Sequence, residues 1–533
     1  MTLAADRSLL LPDAVETFES LDPSNGQVLA THPVHQAEQV EQTVLRARAA
    51  GAWWQAQGPE GRRRHLKAWK GVLARRIHEL ADLVHRENGK PHPDALLEIT
   101  LAIDHIEWSS KHAPKVLGLR KVPAGLMAAN QQALLEYQPL GVIGVIGPWN
   151  YPVFTPMGSI AYALAAGNAV VFKPSEFTPS IGLWLEHAWQ MAVPERPDVL
   201  QVVTGLGATG AALCRAGVDK IAFTGSAATG RQVMAACAER LVPVLMECGG
   251  KDAMIVDDTA DVSAAADAAL WGAMSNAGQT CIGIERVYAT DRIYDAFVAE
   301  LAQKARGVRP GSDPDASYGP ITMPSQVEII TRHIADALAR GGRALTGGTT
   351  SGGYVQPTVL VDVPEGSSAV QEETFGPTVT VARVRDVDEA VTLTNATSYG
   401  LAGSVFTGTS KRGVEIARRM RSGMTSINSV IAFASVPALP FGGVGDSGFG
   451  RIHGADGLKE FTRAKAITRQ RFDLPVQLLS FSRSPKVTDT LAKVIALVHG
   501  RGGAAPACTF GRPSSAVERR RPACSCRMRS LPR

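Results

Sequence analysis

Apolar positions in this chain recur in two alternating patterns. From about residue 140 to 256, short apolar runs at Gly141–Ile146, Ala169–Phe172, Val199–Val203, Lys220–Phe223 and Val242–Met246 predict strands. Helix-period segments at Ser159–Ala166, Ile181–Met191, Ala208–Ala216 and Thr229–Glu239 separate them. Short apolar strands alternating with helices predict a parallel, doubly wound α/β sheet. A second alternation from about 252 to 430 predicts another α/β domain. Its strands are Ala253–Val256, Arg286–Ala289, Thr378–Val384, Gly403–Phe406 and Met424–Ile427. Its helices are Ala260–Met274, Ile293–Ala305, Gln326–Arg340, Val387–Asn395 and Lys411–Arg421. Residues 36–85 read as helical, and residues 121–139 as an extended hairpin. Pro485–His499 is an amphipathic helix candidate.

Composition narrows the class. Hydrophobic residues make up 45% and charged residues 20%, which fits a globular protein with sizeable cores. No apolar run is long enough for a membrane span, and the N-terminal stretch does not read as a signal peptide. Seven irregularly spaced cysteines point to a reducing cytoplasm. The net charge of +5 is a property of the tail: residues 501–533 hold eight Arg and one Glu, a net of +7, so the rest sums to 5 − 7 = −2. That body has no basic stripe with interleaved aromatics, so no nucleic-acid partner is expected. Residues 500–533 carry too few apolar side chains to fold alone and are expected to be disordered. Membrane contact through this tail is not expected, because one short amphipathic stretch binds weakly. Cys508, Cys524 and Cys526 lack a nearby histidine or second cysteine pair, so no metal site is expected there.

Three segments carry the candidate chemistry. Cys281 follows a Gly-Gln-Thr break after a helix, whereas Cys214 and Cys237 sit in apolar helical contexts and read as core. Glu247 ends an apolar strand before Gly249-Gly250, where parallel sheets place ligand groups; the alternative is a solvated strand end. Asn150, in Pro148-Trp149-Asn150-Tyr151-Pro152, can donate to an oxyanion or simply form a turn beside proline. A thiol, a carboxylate and an amide donor together suit covalent chemistry on a carbonyl carbon. Lys173-Pro174-Ser175-Glu176 follows a strand, and an acidic residue there can bind ribose hydroxyls or be ordinary loop polarity. Gly225-Ser226 opens a helix whose N–H groups can hold a pyrophosphate, or Ser226 can cap it. Gly205-Leu206-Gly207-Ala208-Thr209-Gly210 fits a dinucleotide fingerprint, but the next strand ends without an acidic residue, so it reads as a tight loop near a cofactor. Gly445-Asp446-Ser447-Gly448 resembles the nucleophile segment of trypsin-like proteases, which are all-β and carry an upstream histidine segment that is absent here.

Taken together, PWNYP at 148–152, KPSE at 173–176, FTGS at 223–226, ECGGKD at 247–252, GQTC at 278–281, EETFGP at 372–377 and PFGGVGDSGFGR at 440–451 resemble the NAD(P)-dependent aldehyde dehydrogenase superfamily, from about residue 20 to 465. The resemblance implies two Rossmann-like domains with a small β oligomerisation element. On that plan residues 10–120 and 140–248 bind NAD, 249–463 are catalytic, 121–139 and 464–480 bridge, and 481–533 are a largely disordered tail. It implies Cys281 as nucleophile, Glu247 as base and Asn150 as oxyanion donor. It also implies a cofactor site of Trp149, Lys173, Ser175, Glu176, Gly205, Gly225, Ser226, Glu373 and Phe375. NAD is the implied cofactor, ahead of NADP, with a small-molecule aldehyde substrate, a homodimer or homotetramer, and no metal. The segment Cys281-Ile282-Gly283-Ile284-Glu285-Arg286 departs from the usual pattern. It carries an acidic residue and no second cysteine, and is similar to a bacterial subgroup with succinate-semialdehyde dehydrogenases. The 440–451 segment is similar to the fatty and aromatic aldehyde branch. Apolar residues near the candidate pocket (Ile431, Phe433, Val436) tilt the expectation toward apolar aldehydes.

Overall fold

The structure, a computed structural model, describes residues 16–473 and 480–500. The expected disorder beyond Gly500 therefore concerns residues outside the described ones. The first sheet has the order Gly448–Phe449, Val244–Glu247, Lys220–Thr224, Val142–Ile146, Ala169–Lys173, Leu200–Val202. Its pairs are parallel apart from the antiparallel edge Gly448–Phe449. The near-continuous apolar strands follow from burial on both faces, as a parallel sheet between helices requires. Chain order runs outward from Val142–Ile146 to Leu200–Val202, then restarts on its other side at Lys220–Thr224. Such a switch point opens a crevice at the carboxyl ends of the strands.

The second sheet has the order Arg343–Thr346, Thr358–Val361, Thr378–Val384, Arg286–Thr290, Ala253–Val256, Gly403–Phe406, Ser426–Ile427. It is parallel except for the antiparallel Arg343–Thr346 edge. A smaller antiparallel pair joins Arg120–Val122 to Gln131–Pro139 with Arg120 opposite Leu135, the hairpin expected for 121–139. Strand Thr462–Gln470 flanks Gln131–Pro139 on its other edge. Helix Pro485–His499 has no buried residue, and no described helix is long and apolar enough to cross a membrane.

Several elements differ from the sequence reading. Residues 36–85 divide into Ala37–Ala56, Gly58–Arg75 and Ile77–Asn88, the last ending on left-handed Gly89. The 26-residue helix His92–Leu117 was not foreseen: proline at its start and at Pro114 masks its period. Strands Arg343–Thr346 and Thr358–Val361 were also missed, being four residues each. Gly448–Phe449, assigned by sequence to the second domain, pairs with Met246 and Glu247 in the first sheet. Helix Gly454–Glu460 packs beside it on helices of the first domain. The second sheet's chain run thus closes before residue 463.

Candidate active site

All the sequence-selected segments of the first sheet lie at the carboxyl ends of its parallel strands. Trp149-Asn150 follow Val142–Ile146, Lys173–Glu176 end Ala169–Lys173, Gly205 follows Leu200–Val202, Gly225-Ser226 follow Lys220–Thr224, and Glu247 ends its own strand. Cys281 arrives from the second domain. Helix Val262–Met274 is capped by Asp261, whose side chain accepts the Ala264 N–H at 3.0 Å. Beyond it Asn276, Ala277 and Gly278 have φ of 52°, 56° and 70°, three successive left-handed residues. Such backbone costs an L-residue about 1–2 kcal/mol and persists only where its surroundings hold it.

The holding groups are polar side chains. Asn276 Nδ2 donates to the carbonyls of Asn150 (3.0 Å) and Gln279 (3.2 Å). Gln279 Nε2 donates to Asn276 O at 2.9 Å, and its Oε1 accepts the Thr322 N–H at 2.8 Å. Asn150 Nδ2 donates to Gln279 O at 2.8 Å, which engages one of its two amide hydrogens and leaves the other. Asn150 is therefore more than the turn residue its proline neighbour suggested.

Cys281 and Glu247 line one cleft with Leu97, Phe154, Trp271 and Phe441. Burial pushes the Cys281 thiol up, and the carboxylates of Glu373, Asp252 and Glu247 push the same way, against the Ile282 N–H. Glu247 is buried, and neither of its carboxylate oxygens has a hydrogen-bond partner. That burial holds it well above the ordinary carboxylate range, and Arg451 opposes the effect. A buried carboxylate without partners is costly. Its burial on the wall of this cleft rules out a solvated strand end.

Three lining residues escaped the sequence reading because they sit on or beside the unforeseen helix. Lys90 Nζ pairs with Glu98, both side chains fully buried, and donates to Asn150 O at 2.9 Å. Glu98 Oε1 accepts the N–H groups of Val153 (2.8 Å) and Phe154 (3.0 Å), fixing the start of helix Phe154–Ala166. Asp94, also on the cleft, has its carboxyl pushed up by burial, with Lys90 opposing. A lysine before a proline and a glutamate eight residues later carried no local signal of this network.

On the other side of the site, Lys173 Nζ donates to Pro174 O at 3.1 Å and lies 3.9 Å from Glu176. Ser175 Oγ donates to Glu176 Oε2 at 3.3 Å. Gly205, at φ 147°, lies so near Thr209 that a Cβ would fall 2.1 Å from its hydroxyl, so this glycine has a packing reason. Ser226 Oγ accepts the Thr229 N–H at 3.2 Å; it caps its helix, as the second of its two readings held. Gly225 N–H donates to Glu247 O at 3.1 Å. Glu373 accepts the Gly250 N–H at 3.0 Å, and burial raises it to about 8. Trp149 and Phe375 meet edge to face at 5.5 Å.

The fold has known counterparts. Residues 11–467 match the model of the aldehyde dehydrogenase family. A 4,4'-diapolycopene aldehyde oxidase of Methylomonas is 36% identical over 464 residues, covering 86% of this chain and 87% of its own. An NADP-dependent enzyme of Escherichia coli superposes with a TM-score of 0.82 at 33% identity, over 85% of this chain and 95% of its own. A succinate-semialdehyde dehydrogenase of Burkholderia pseudomallei does so with a TM-score of 0.81 at 33% identity, over 85% and 95%. This chain belongs to the aldehyde dehydrogenase family.

Proposed function

We propose that this protein oxidises an apolar aldehyde to its carboxylic acid through a covalent Cys281 intermediate, with NAD as hydride acceptor. The observation that carries the reading is the pairing of Cys281 with a buried, unpartnered Glu247 on one mostly apolar cleft. The Cys281 sulfur, once its proton is lost, adds to the carbonyl carbon as a thiohemiacetal. The free amide hydrogen of Asn150 and the Cys281 backbone N–H stabilise the oxyanion. A bound nicotinamide would supply the hydride acceptor here; loss of the hydride from that carbon leaves a thioester on Cys281. Glu247 takes a proton from water; the hydroxide attacks the thioester carbon, the C–S bond breaks and the acid departs. A CoA-acylating relative would not need that carboxylate, and a non-catalytic binding protein would need none of the three.

The residues beyond the strand ends fit a dinucleotide. Lys173 uses one of its three donors on Pro174 O, leaving others for ribose hydroxyls, with Glu176 beside it. Gly225 and the Ser226-capped helix start suit a pyrophosphate, with Gly205 nearby. Glu373 would hold the nicotinamide ribose, with Phe375 and Trp149 beside the ring. Glu176 favours NAD by repelling a 2′-phosphate; NADP is the alternative.

The cleft lining favours an apolar substrate. Lys90, the one lining cation among the described residues, is buried against Glu98, while Asp94 adds a carboxylate. A dicarboxylate precursor such as succinate semialdehyde, the alternative substrate, would meet no free positive charge there. Thr462–Gln470, exposed at eight of nine positions, offers an edge for assembly as a homodimer or homotetramer. The expected setting is the cytoplasm, with no nucleic-acid partner. The test is NADH or NADPH formation with hexanal, decanal, benzaldehyde and succinate semialdehyde, without CoA. Turnover of decanal or benzaldehyde above succinate semialdehyde is expected. Activity only on adding CoA would overturn the hydrolytic reading.

A further inference from the structure

The acidic residue four places after the nucleophile departs from the usual family pattern, and the structure gives it a task. Glu285 is buried just ahead of strand Arg286–Thr290. Its Oε1 accepts the N–H of Phe375 at 3.0 Å and that of Thr374 at 3.1 Å; its Oε2 accepts the Thr374 N–H at 2.8 Å and pairs with Lys251 Nζ. Lys251 also donates to Thr374 Oγ1 at 3.1 Å, His333 Nδ1 lies 3.1 Å from that hydroxyl, and Gln326 Nε2 donates to Thr374 O at 2.8 Å. Thr374 is thus held at its N–H, its carbonyl and its hydroxyl. Phe375 has φ of +50°, a left-handed backbone that a phenylalanine adopts only when held there. The residue on one side, Glu373, reaches Gly250, and a Cβ on Gly249 would fall 2.1 Å from its carboxylate. The ring on the other side, Phe375, abuts Trp149.

We infer that Glu285 is a positioning residue for the cofactor grip: its carboxylate locks residues 373–375 so that Glu373 and Phe375 present a fixed surface to the nicotinamide half. The inference rests on the reading above that Glu373 and Phe375 face that half. Glu285 touches neither substrate nor cofactor; it acts through the peptide N–H groups of Thr374 and Phe375. An amide at this position has only one acceptor oxygen and no charge for Lys251, so Glu285→Gln frees the loop to sample other backbone states.

The test uses the full-length enzyme with Glu285→Gln, Glu285→Asp and Glu373→Gln, decanal as substrate, and decanal deuterated at the carbonyl carbon. Glu285→Gln should raise the KM for NAD about tenfold to a hundredfold, the scale of one or two lost charge-assisted hydrogen bonds. The KM for decanal should stay within about twofold, as uniform binding of the aldehyde is untouched. The isotope effect should rise as hydride transfer becomes limiting, and Glu285→Asp should recover part of both changes. A purely structural role would lower kcat through lost active protein while leaving the KM for NAD and the isotope effect at parental values; that result overturns the inference. If Glu285→Gln does not fold, the same measurements on Glu285→Asp decide, because the carboxylate then sits one methylene short of its acceptors. Glu373→Gln separates the two readings. If it changes NAD handling and the Glu285 variants do not, only this inference fails. If it changes nothing, the placement of the nicotinamide beside residues 373–375 fails, and the inference with it.

Discussion

Replacing Glu98 with leucine tests whether the buried Lys90–Glu98 pair holds the active-site floor. Both side chains are fully buried, and the carboxylate also accepts the Val153 and Phe154 N–H groups. Removing one partner of a buried ion pair costs about 3–5 kcal/mol, because the other charge is left uncompensated. The two orphaned N–H groups add about 1–3 kcal/mol each if no water reaches them. A loss of about 5 kcal/mol is therefore expected, enough to lower the melting temperature of a unit this large by roughly 5 °C. Lys90→Met combined with Glu98→Leu removes the stranded charge and should recover most of the pair term, since apolar replacements of buried pairs are often neutral. It should not recover full activity, because the Asn150 carbonyl still loses its bond from Lys90. The assay is thermal unfolding followed by circular dichroism at one scan rate, with NADH formation measured well below the transition. A single variant melting within about 2 °C of the parent, or a double variant no more stable than the single, would refute the reasoning.

Other consequences follow from the cleft. Glu247 must be ionised to take a proton from water, and burial raises its pKa, so kcat should climb with pH above the ordinary carboxylate range; Glu247→Gln should abolish that limb along with hydrolysis. Asp94→Arg adds a cation where the lining has a carboxylate, and should raise kcat/KM for succinate semialdehyde relative to decanal about tenfold; an unchanged ratio would mean the aldehyde tail does not pass Asp94. Glu176→Gln should raise NADP use relative to NAD, read from the two KM values, and an unaltered preference would remove Glu176 from cofactor choice.

Local sequence pattern was informative where the fold itself is local. The strands of both sheets read as short apolar runs because burial on two faces leaves little room for polar residues. Glu247, Lys173, Gly225 and Asn150 could be placed at strand ends for that reason. Whether they converge could not be read from pattern, since Cys281 reaches the cleft through three left-handed residues held by Asn150 and Gln279. The network of Lys90, Asp94 and Glu98 was illegible because each contact spans more than fifty residues or depends on a helix whose prolines hid it. Glu285 stood out as a departure, but its partners Thr374 and Phe375 lie about ninety residues away, so only the folded chain reveals what it holds. Gly205 fits its reading as a tight loop: at φ 147° it lies too near the Thr209 hydroxyl for a side chain, a close approach that only the folded chain reveals.

The central claim, covalent chemistry at Cys281 completed by Glu247, is tested most directly by intact mass of the Glu247→Gln variant after mixing with decanal and NAD. The account predicts one added decanoyl group, mapped to Cys281, with a single burst of NADH and no added mass when Cys281 is also replaced by alanine. Unmodified protein that continues to turn over, or the same adduct without Cys281, would contradict it.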